Sequence, residues 1–207
     1  MDWISGLLSA LGLAGSAGLN AWIPLFIVGV ADRFLPPGWF HLPERVAFMH
    51  STWFLVLTGV LLLVELVADK IPVVDHINDT VQAFIRPVAG AVLFLAGTGA
   101  LHLHPAVPIV LGLITAGAVH TAKAGFRPMV TLGTGGLGNP VVSLVEDVIA
   151  FVATLIALLA PLLIVGVIIV SIWALANLGR RQSGGAQDLE GRRVLEGRRG
   201  PGAGSAP

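Results

Sequence analysis

The chain has 207 residues, of which 55% are apolar and only 12% are charged. Because a soluble globular domain carries about 25% charged residues, this composition excludes most soluble classes and predicts a membrane protein. No cysteine is present, which excludes disulfides, thiolate metal sites and cysteine nucleophiles. The formal net charge of zero by itself indicates nothing about a nucleic-acid partner, and we expect none.

The charges separate a body from a tail. Nine of the 24 charged residues, counting 12 basic and 12 acidic, fall within the last 29 positions. Residues 1–178 are therefore predicted to form a transmembrane helical domain. Residues 179–207, rich in Gly and Arg, contain too little apolar surface to fold and are predicted to be a disordered cytoplasmic tail.

Six stretches of the body are long and apolar enough to cross a bilayer, which takes about 20 residues. In chain order they are residues 4–30, 50–68, 80–101, 106–130, 140–160 and 162–178. The last two nearly merge, and Pro161 between them predicts a tight turn. The predicted fold is an all-α, polytopic membrane bundle of about six helices.

Lysine and arginine indicate the orientation. An even number of spans places both termini on one side, and the Arg-rich tail predicts that this side is the cytoplasm. Six basic residues then flank the spans on the cytoplasmic side against two on the other. They are Lys70, Arg86, Lys123, Arg127, Arg180 and Arg181, against Arg33 and Arg45. Membrane lipids are the expected surroundings of the body.

Two segments of the body are similar to each other. Residues 14–24 (AGSAGLNAWIP) align without gaps with residues 118–128 (AVHTAKAGFRP). A repeat that pairs the first span with the fourth is an inverted 3+3 repeat, which is typical of secondary transporters with interrupted helices. Glycine and proline are expected to interrupt both segments. The alternative is that the small residues serve close helix packing, within the chain or in a homo-oligomer.

Most of the body's charges lie in the predicted cytoplasmic half. His120, Lys123, Glu146 and Asp147 lie about 10–15 Å inside their spans, where a charge costs at least about 2.5 kcal/mol. Such residues are candidate sites by default. The full set of candidates is Asn20, Glu65, Asp69, Asp79, Arg86, His120, Lys123, Arg127, Asn139, Glu146 and Asp147.

A count of opposite charges in this half indicates what it binds. The acids are Glu65, Asp69, Asp75, Asp79, Glu146 and Asp147, and the bases are Lys70, Arg86, Lys123 and Arg127. Two carboxylates are left over, which predicts binding of a proton or another cation. Glu65, Glu146 and Asp147 are the metal candidates. The alternative is a neutral structural network.

These features favour a transporter or channel for a cation or small polar solute, with proton coupling as one form. A bound cation is the only cofactor that we expect. The alternative is a non-transporting scaffold or lipid-handling subunit. No enzyme motif occurs, so we expect a non-enzyme, with an intramembrane hydrolase built on His120 and Glu146 or Asp147 as the remaining alternative.

Several polar motifs carry a family resemblance. They are GLNAWIPL (18–25), ELVADKIP (65–72), IRPVAGA (85–91), HTAKAGFRP (120–128) and GNPVVSLVED (138–147). With these motifs the chain resembles, over roughly residues 5–175, the bacterial membrane proteins catalogued as domain of unknown function 4126. The resemblance implies a small multi-spanning membrane protein of unsettled function, and we expect it in the bacterial inner membrane. It implies no established catalytic or transport residue.

Overall fold

The computed structural model describes residues 3–36, 40–68, 72–99, 101, 103–135, 138–161, 163, 166 and 168–173. Within these ranges, the side chains of residues 72–77, 79 and 127 are not described. The chain divides into a unit of residues 1–164, which is treated below, and a unit of residues 165–207. Residues 168–173 of the second unit are helical. The predicted tail lies outside the described residues.

The described part of the first unit consists of helices and connections, without a strand. The α-helices are α1 (Trp3–Leu19), α2 (Trp22–Phe34), α3 (Thr52–Ala68), α4 (Pro72–Gly97), α5 (Ala106–Thr134) and α6 (Asn139–Leu159), and a 3-10 helix (Glu44–His50) precedes α3. α6 ends just before Pro161, as the sequence predicts. The predicted all-α class is confirmed.

Three helices are long and apolar enough to cross a membrane. They are Thr80–Gly97, Ala106–Thr134 and Asn139–Leu159. The 3-10 helix and α3 add a fourth if this pair, bent by 65°, counts as one span. The prediction of six spans is not confirmed, and most of the sixth, residues 162–178, lies outside the described residues.

The predicted first span is two helices between which the chain reverses direction. Near the start of α1, a Cβ atom added at Gly6 would lie 3.3 Å from the Gly97 carbonyl oxygen, at the end of α4. Beyond α2, a Cβ atom added at Gly99 would lie 2.9 Å from Pro43. Both ends of the α1–α2 pair therefore adjoin the same end of α4, and Asn20 lies at the reversal.

A contact at the end of α2 agrees with this path. The Asp32 carboxylate accepts a hydrogen bond of 2.7 Å from the backbone N–H of Leu42, next to Pro43. If α1 and α2 formed one straight helix, Asp32 would lie about 39 Å from Gly6, at the opposite end of α4. The prediction of one crossing over residues 4–30 is therefore wrong, and the even-count argument for two cytoplasmic termini loses its premise.

The break also lies elsewhere than predicted. α1 runs without interruption through its glycines and ends at Leu19, and Pro24 lies in the first turn of α2, where its missing N–H costs nothing. α5 is continuous through Gly117, Gly125 and Pro128. The predicted interruption of the second segment is therefore wrong, and the two segments that suggested a repeat have different structures.

Small residues bring the helices of the bundle close together. A Cβ atom added at Gly90 of α4 would lie 2.7 Å from the Gly112 carbonyl oxygen of α5. One added at Gly18 of α1 would lie 2.6 Å from the Ala116 carbonyl oxygen of α5. These contacts support the packing interpretation of the glycines within the chain.

Candidate functional site

The buried side chain of Asn20 forms hydrogen bonds at the break between α1 and α2. Its Oδ1 accepts hydrogen bonds from the backbone N–H groups of Trp22 (3.0 Å) and Ile23 (3.1 Å), which caps the start of α2. Its Nδ2 donates to Oδ1 of Asp147 on α6 at 2.9 Å. Asn20 is 1% exposed and Asp147 7%. The break is therefore tied to a buried carboxylate.

Lys123 forms a hydrogen bond with the backbone on the α1 side of the same break. Its Nζ donates to the carbonyl oxygen of Leu19, the last residue of α1, at 3.1 Å. The same ammonium lies 2.8 Å from Oε2 of Glu146. A cation at a helix C-terminus complements the helix dipole. We call Asn20, Lys123, Glu146 and Asp147 the tip cluster.

A second group of buried polar residues lies one turn away along α5. Nη2 of Arg86 on α4 lies 3.2 Å from Oε1 of Glu65 on α3, and Nη1 lies 3.0 Å from Nδ1 of His120 on α5. Arg86 is fully buried and Glu65 is 2% exposed. We call Glu65, Arg86 and His120 the arginine cluster. His120 and Lys123, three residues apart, share a face of α5, so the two clusters are neighbours.

The sequence analysis missed Gln82. This residue is 1% exposed and lies one turn before Arg86 on α4. Among the described residues, its Oε1 has no hydrogen-bond partner, and neither has Nε of Arg86. The count of candidates considered mainly ionisable residues, so a neutral amide was passed over. The available signal was an amide four residues from an arginine in an apolar segment.

Among the candidates whose side chains are described, Asn139 alone lies outside both clusters. Asn139 lies at the exposed connection between α5 and α6, where its Oδ1 accepts a hydrogen bond of 3.2 Å from Thr131. Its predicted role in binding stays a prediction. Asp69 lies outside the described residues, and so do the side chains of Asp79 and Arg127.

The described ionisable residues of the two clusters are mostly paired. Glu65 pairs with Arg86 and Glu146 with Lys123, while Asp147 accepts from the Asn20 amide. Three carboxylates and two cations, with His120 neutral, give a charge of −1 for this described set. In the part of the chain that the structure describes, no three His, Asp or Glu residues are arranged to hold a metal ion. The three predicted metal ligands are divided between the two clusters.

A further polar group lies at the opposite end of α2. The buried carboxylate of Asp32 lies 3.2 Å from Nδ1 of His41 and 2.7 Å from Nδ1 of His50. Nη1 of Arg33 donates to Oγ1 of Thr52 at 2.8 Å. The lining of one open cavity includes Asp32, Arg33, His41, His50 and Thr52. The sequence analysis did not identify this group, because its members come from three separate segments.

The fold and the buried polar clusters define a polytopic helical protein with apolar helices that fit a membrane. The family described as Domain of unknown function (DUF4126) matches residues 7–181, and the chain belongs to this family. This match confirms the resemblance noted from the motifs. No curated protein and no solved structure matches the chain.

Proposed function

We propose that the protein moves a cation, or a small polar solute coupled to one, across the membrane through the tip cluster. The reversal between α1 and α2 is the observation that carries the proposal. Helix ends inside a membrane bundle present backbone carbonyl and N–H groups, and transporters use such ends to bind ions near the midplane. Here the end of α1 contacts the buried Lys123, and Asn20, which caps α2, contacts the buried Asp147.

The position of Lys123 supports a cation as the ligand. Its ammonium lies between two oxygen atoms, the Leu19 carbonyl at 3.1 Å and Oε2 of Glu146 at 2.8 Å. A mobile cation that displaced the ammonium would meet the same oxygens.

Liposome flux measurements test this proposal. Fluxes of protons, Mn²⁺, Mg²⁺, Ca²⁺ and phosphate are compared for the wild type, Glu146→Gln and the control Asn139→Ala, whose side chain lies outside the tip cluster. We expect one cation to move and its flux to fall at least about tenfold in Glu146→Gln, since a hydrogen bond to a charged group contributes about 1.5–3 kcal/mol. Asn139→Ala should keep the wild-type flux. Absence of any wild-type flux would overturn the proposal.

The second candidate function is a membrane scaffold. The two ion pairs and the close glycine contacts between α1, α4 and α5 favour it. A scaffold moves no solute, and its ion pairs serve only to hold the helices. In the same experiment, a folded protein without flux would therefore support the scaffold.

We also propose that the ends of α3 and α5 face the cytoplasm, in a bacterial inner membrane. Lys70 follows α3, and the connection from α5 to α6 lies at that same end of the bundle. By the positive-inside rule this end is cytoplasmic. The start of α1 would then face the opposite side, because Gly6 adjoins Gly97 at the other end of α4.

A further inference from the structure

The contact between Arg86 and His120 determines which ring nitrogen of His120 carries the proton. Nη1 of Arg86 lies 3.0 Å from Nδ1 of His120. A guanidinium group only donates hydrogen bonds, so Nδ1 must accept. His120 is therefore neutral here, with its ring proton on Nε2.

A proton on Nδ1 and the contact with Arg86 exclude each other. Protonated Nδ1 is a donor, and two donors cannot share a hydrogen bond. The imidazolium and the guanidinium would also repel each other at this distance. Binding of a proton to His120 therefore displaces Nη1 of Arg86.

Gln82 offers Arg86 a second partner. Its Oε1 is buried and accepts no hydrogen bond from the described residues, and Nε of Arg86 donates none to them. Residues four apart on a helix are neighbours. A buried acceptor without a partner costs about 1–3 kcal/mol, so a contact with the displaced guanidinium is favourable.

We propose that Nδ1 of His120 is a proton-binding site, in which a proton and the Arg86 guanidinium alternate, and that Gln82 accepts Arg86 when the proton is bound. The proton comes from a hydronium ion, which becomes water, and Arg86 keeps all its protons. His120 is partly exposed whereas Arg86 is buried, so the proton does not have to pass Arg86. The role of this proton as the cation coupled to transport rests on the proposed function.

The charges around His120 fit this exchange. The described ionisable groups facing it are Glu65 from α3, Arg86 from α4 and, through Lys123 on its own helix, Glu146 from α6. α1 carries no ionisable side chain. Among the described residues, Arg86 is the cation that contacts Nδ1 of His120, and a proton on Nδ1 takes its place.

Nitrogen NMR of the full-length protein in lipid nanodiscs tests the site directly. All six histidines are labelled with ¹⁵N, and His120 is assigned from the signals lost in His120→Asn. We expect the Nε2–H tautomer at alkaline pH and protonation of both nitrogens on acidification. In Gln82→Leu, half protonation should need about a tenfold higher proton concentration, because the acceptor for the displaced Arg86 is gone. The signals of the exposed His104, measured in the same spectra, should be the same in the wild type and in Gln82→Leu.

Two outcomes would overturn the proton site. One is an Nδ1–H tautomer of His120 in the wild type at alkaline pH. The other is identical titration of His120 in the wild type and Gln82→Leu.

The liposome fluxes separate this inference from the proposed function. Expected NMR results without any flux leave the proton site standing and reject transport, whereas a cation flux with an Nδ1–H tautomer rejects the proton site alone.

Discussion

Residues 14–24 and 118–128 have similar patterns of small residues and a final proline, yet the first contains a chain reversal and the second an unbroken helix. Asn20 in the first aligns with Ala124 in the second. The Asn20 amide caps the next helix and contacts Asp147, whereas an alanine side chain can do neither. A helix in an apolar bundle therefore breaks where polar partners satisfy the freed backbone, and glycine alone is not sufficient.

The largest expected effect concerns the side of the membrane from which a labelling reagent reaches each segment. The chain has no cysteine, so single-cysteine variants can be labelled without background. Because α1 and α2 reverse direction, Trp3→Cys and Leu103→Cys should react with a membrane-impermeant maleimide from one side, and Gly133→Cys from the other. Labelling is measured on oriented vesicles from each side. Reaction of Trp3→Cys from the same side as Gly133→Cys would contradict the reversal and support a single crossing over residues 4–30.

The next largest effect concerns Lys123, which satisfies the end of α1. Lys123→Met leaves Glu146 buried without this partner and should lower the free energy of unfolding by about 3–5 kcal/mol. The double variant Lys123→Met/Glu146→Leu should recover most of this loss, because it removes both charges. Arg33→Met serves as control, since Arg33 is exposed and surface substitutions usually change stability by about 0.5 kcal/mol or less. Reversible unfolding in mixed micelles measures all three, and a double variant no more stable than the single one would contradict the pairing.

The Asn20 cap should contribute less than the ion pair. Asn20→Ala removes the cap of α2 and the donor to Asp147, and we expect a loss of about 2–3 kcal/mol from these two terms. Ala124→Asn, at the aligned position in α5, should change stability by under about 1 kcal/mol, because asparagine is only a weaker helix former. The same unfolding measurement applies. Equal losses in both variants would remove the distinction between the two segments.

The smallest expected effect has opposite signs at two glycines of α5. A Cβ atom added at Gly112 would meet Ala91 at 2.6 Å, whereas one added at Gly117 meets nothing within 4 Å. Gly112→Ala should therefore cost about 1–3 kcal/mol through overpacking. Gly117→Ala should stabilise by up to about 1 kcal/mol. Thermal unfolding of the two variants, which make the same chemical change on one helix, gives the comparison.

Much of the fold and of the site could be predicted from the sequence where charge is rare. The predicted starts of the fourth and fifth spans, residues 106 and 140, agree with α5 and α6 within one residue. Lys123, Glu146 and Asp147 were identified by depth alone, and the structure brings them together with Asn20. A buried charge needs a partner, so the few charges inside apolar spans are bound to meet.

The rest depends on contacts between distant segments. Hydropathy measures how much apolar length is present, but it contains no information on direction, so one crossing and a reversal look alike over residues 4–30. The reversal is fixed by Lys123 and Asp147, which lie on other helices. Gln82 was missed for a different reason, because a neutral amide is distinguished only by its burial and its lack of a partner among the described residues.

The contact between Asn20 and Asp147 joins positions 127 residues apart, and this separation has a consequence for biosynthesis. At about 5–20 residues per second, the ribosome adds Asp147 about 6–25 s after Asn20. Lys123, which holds the other side of the break, is also synthesised late. For most of this interval α1 and α2 have already been synthesised, while the residues that close their junction have not. The N-terminal part of the chain is thus made first and assembled last.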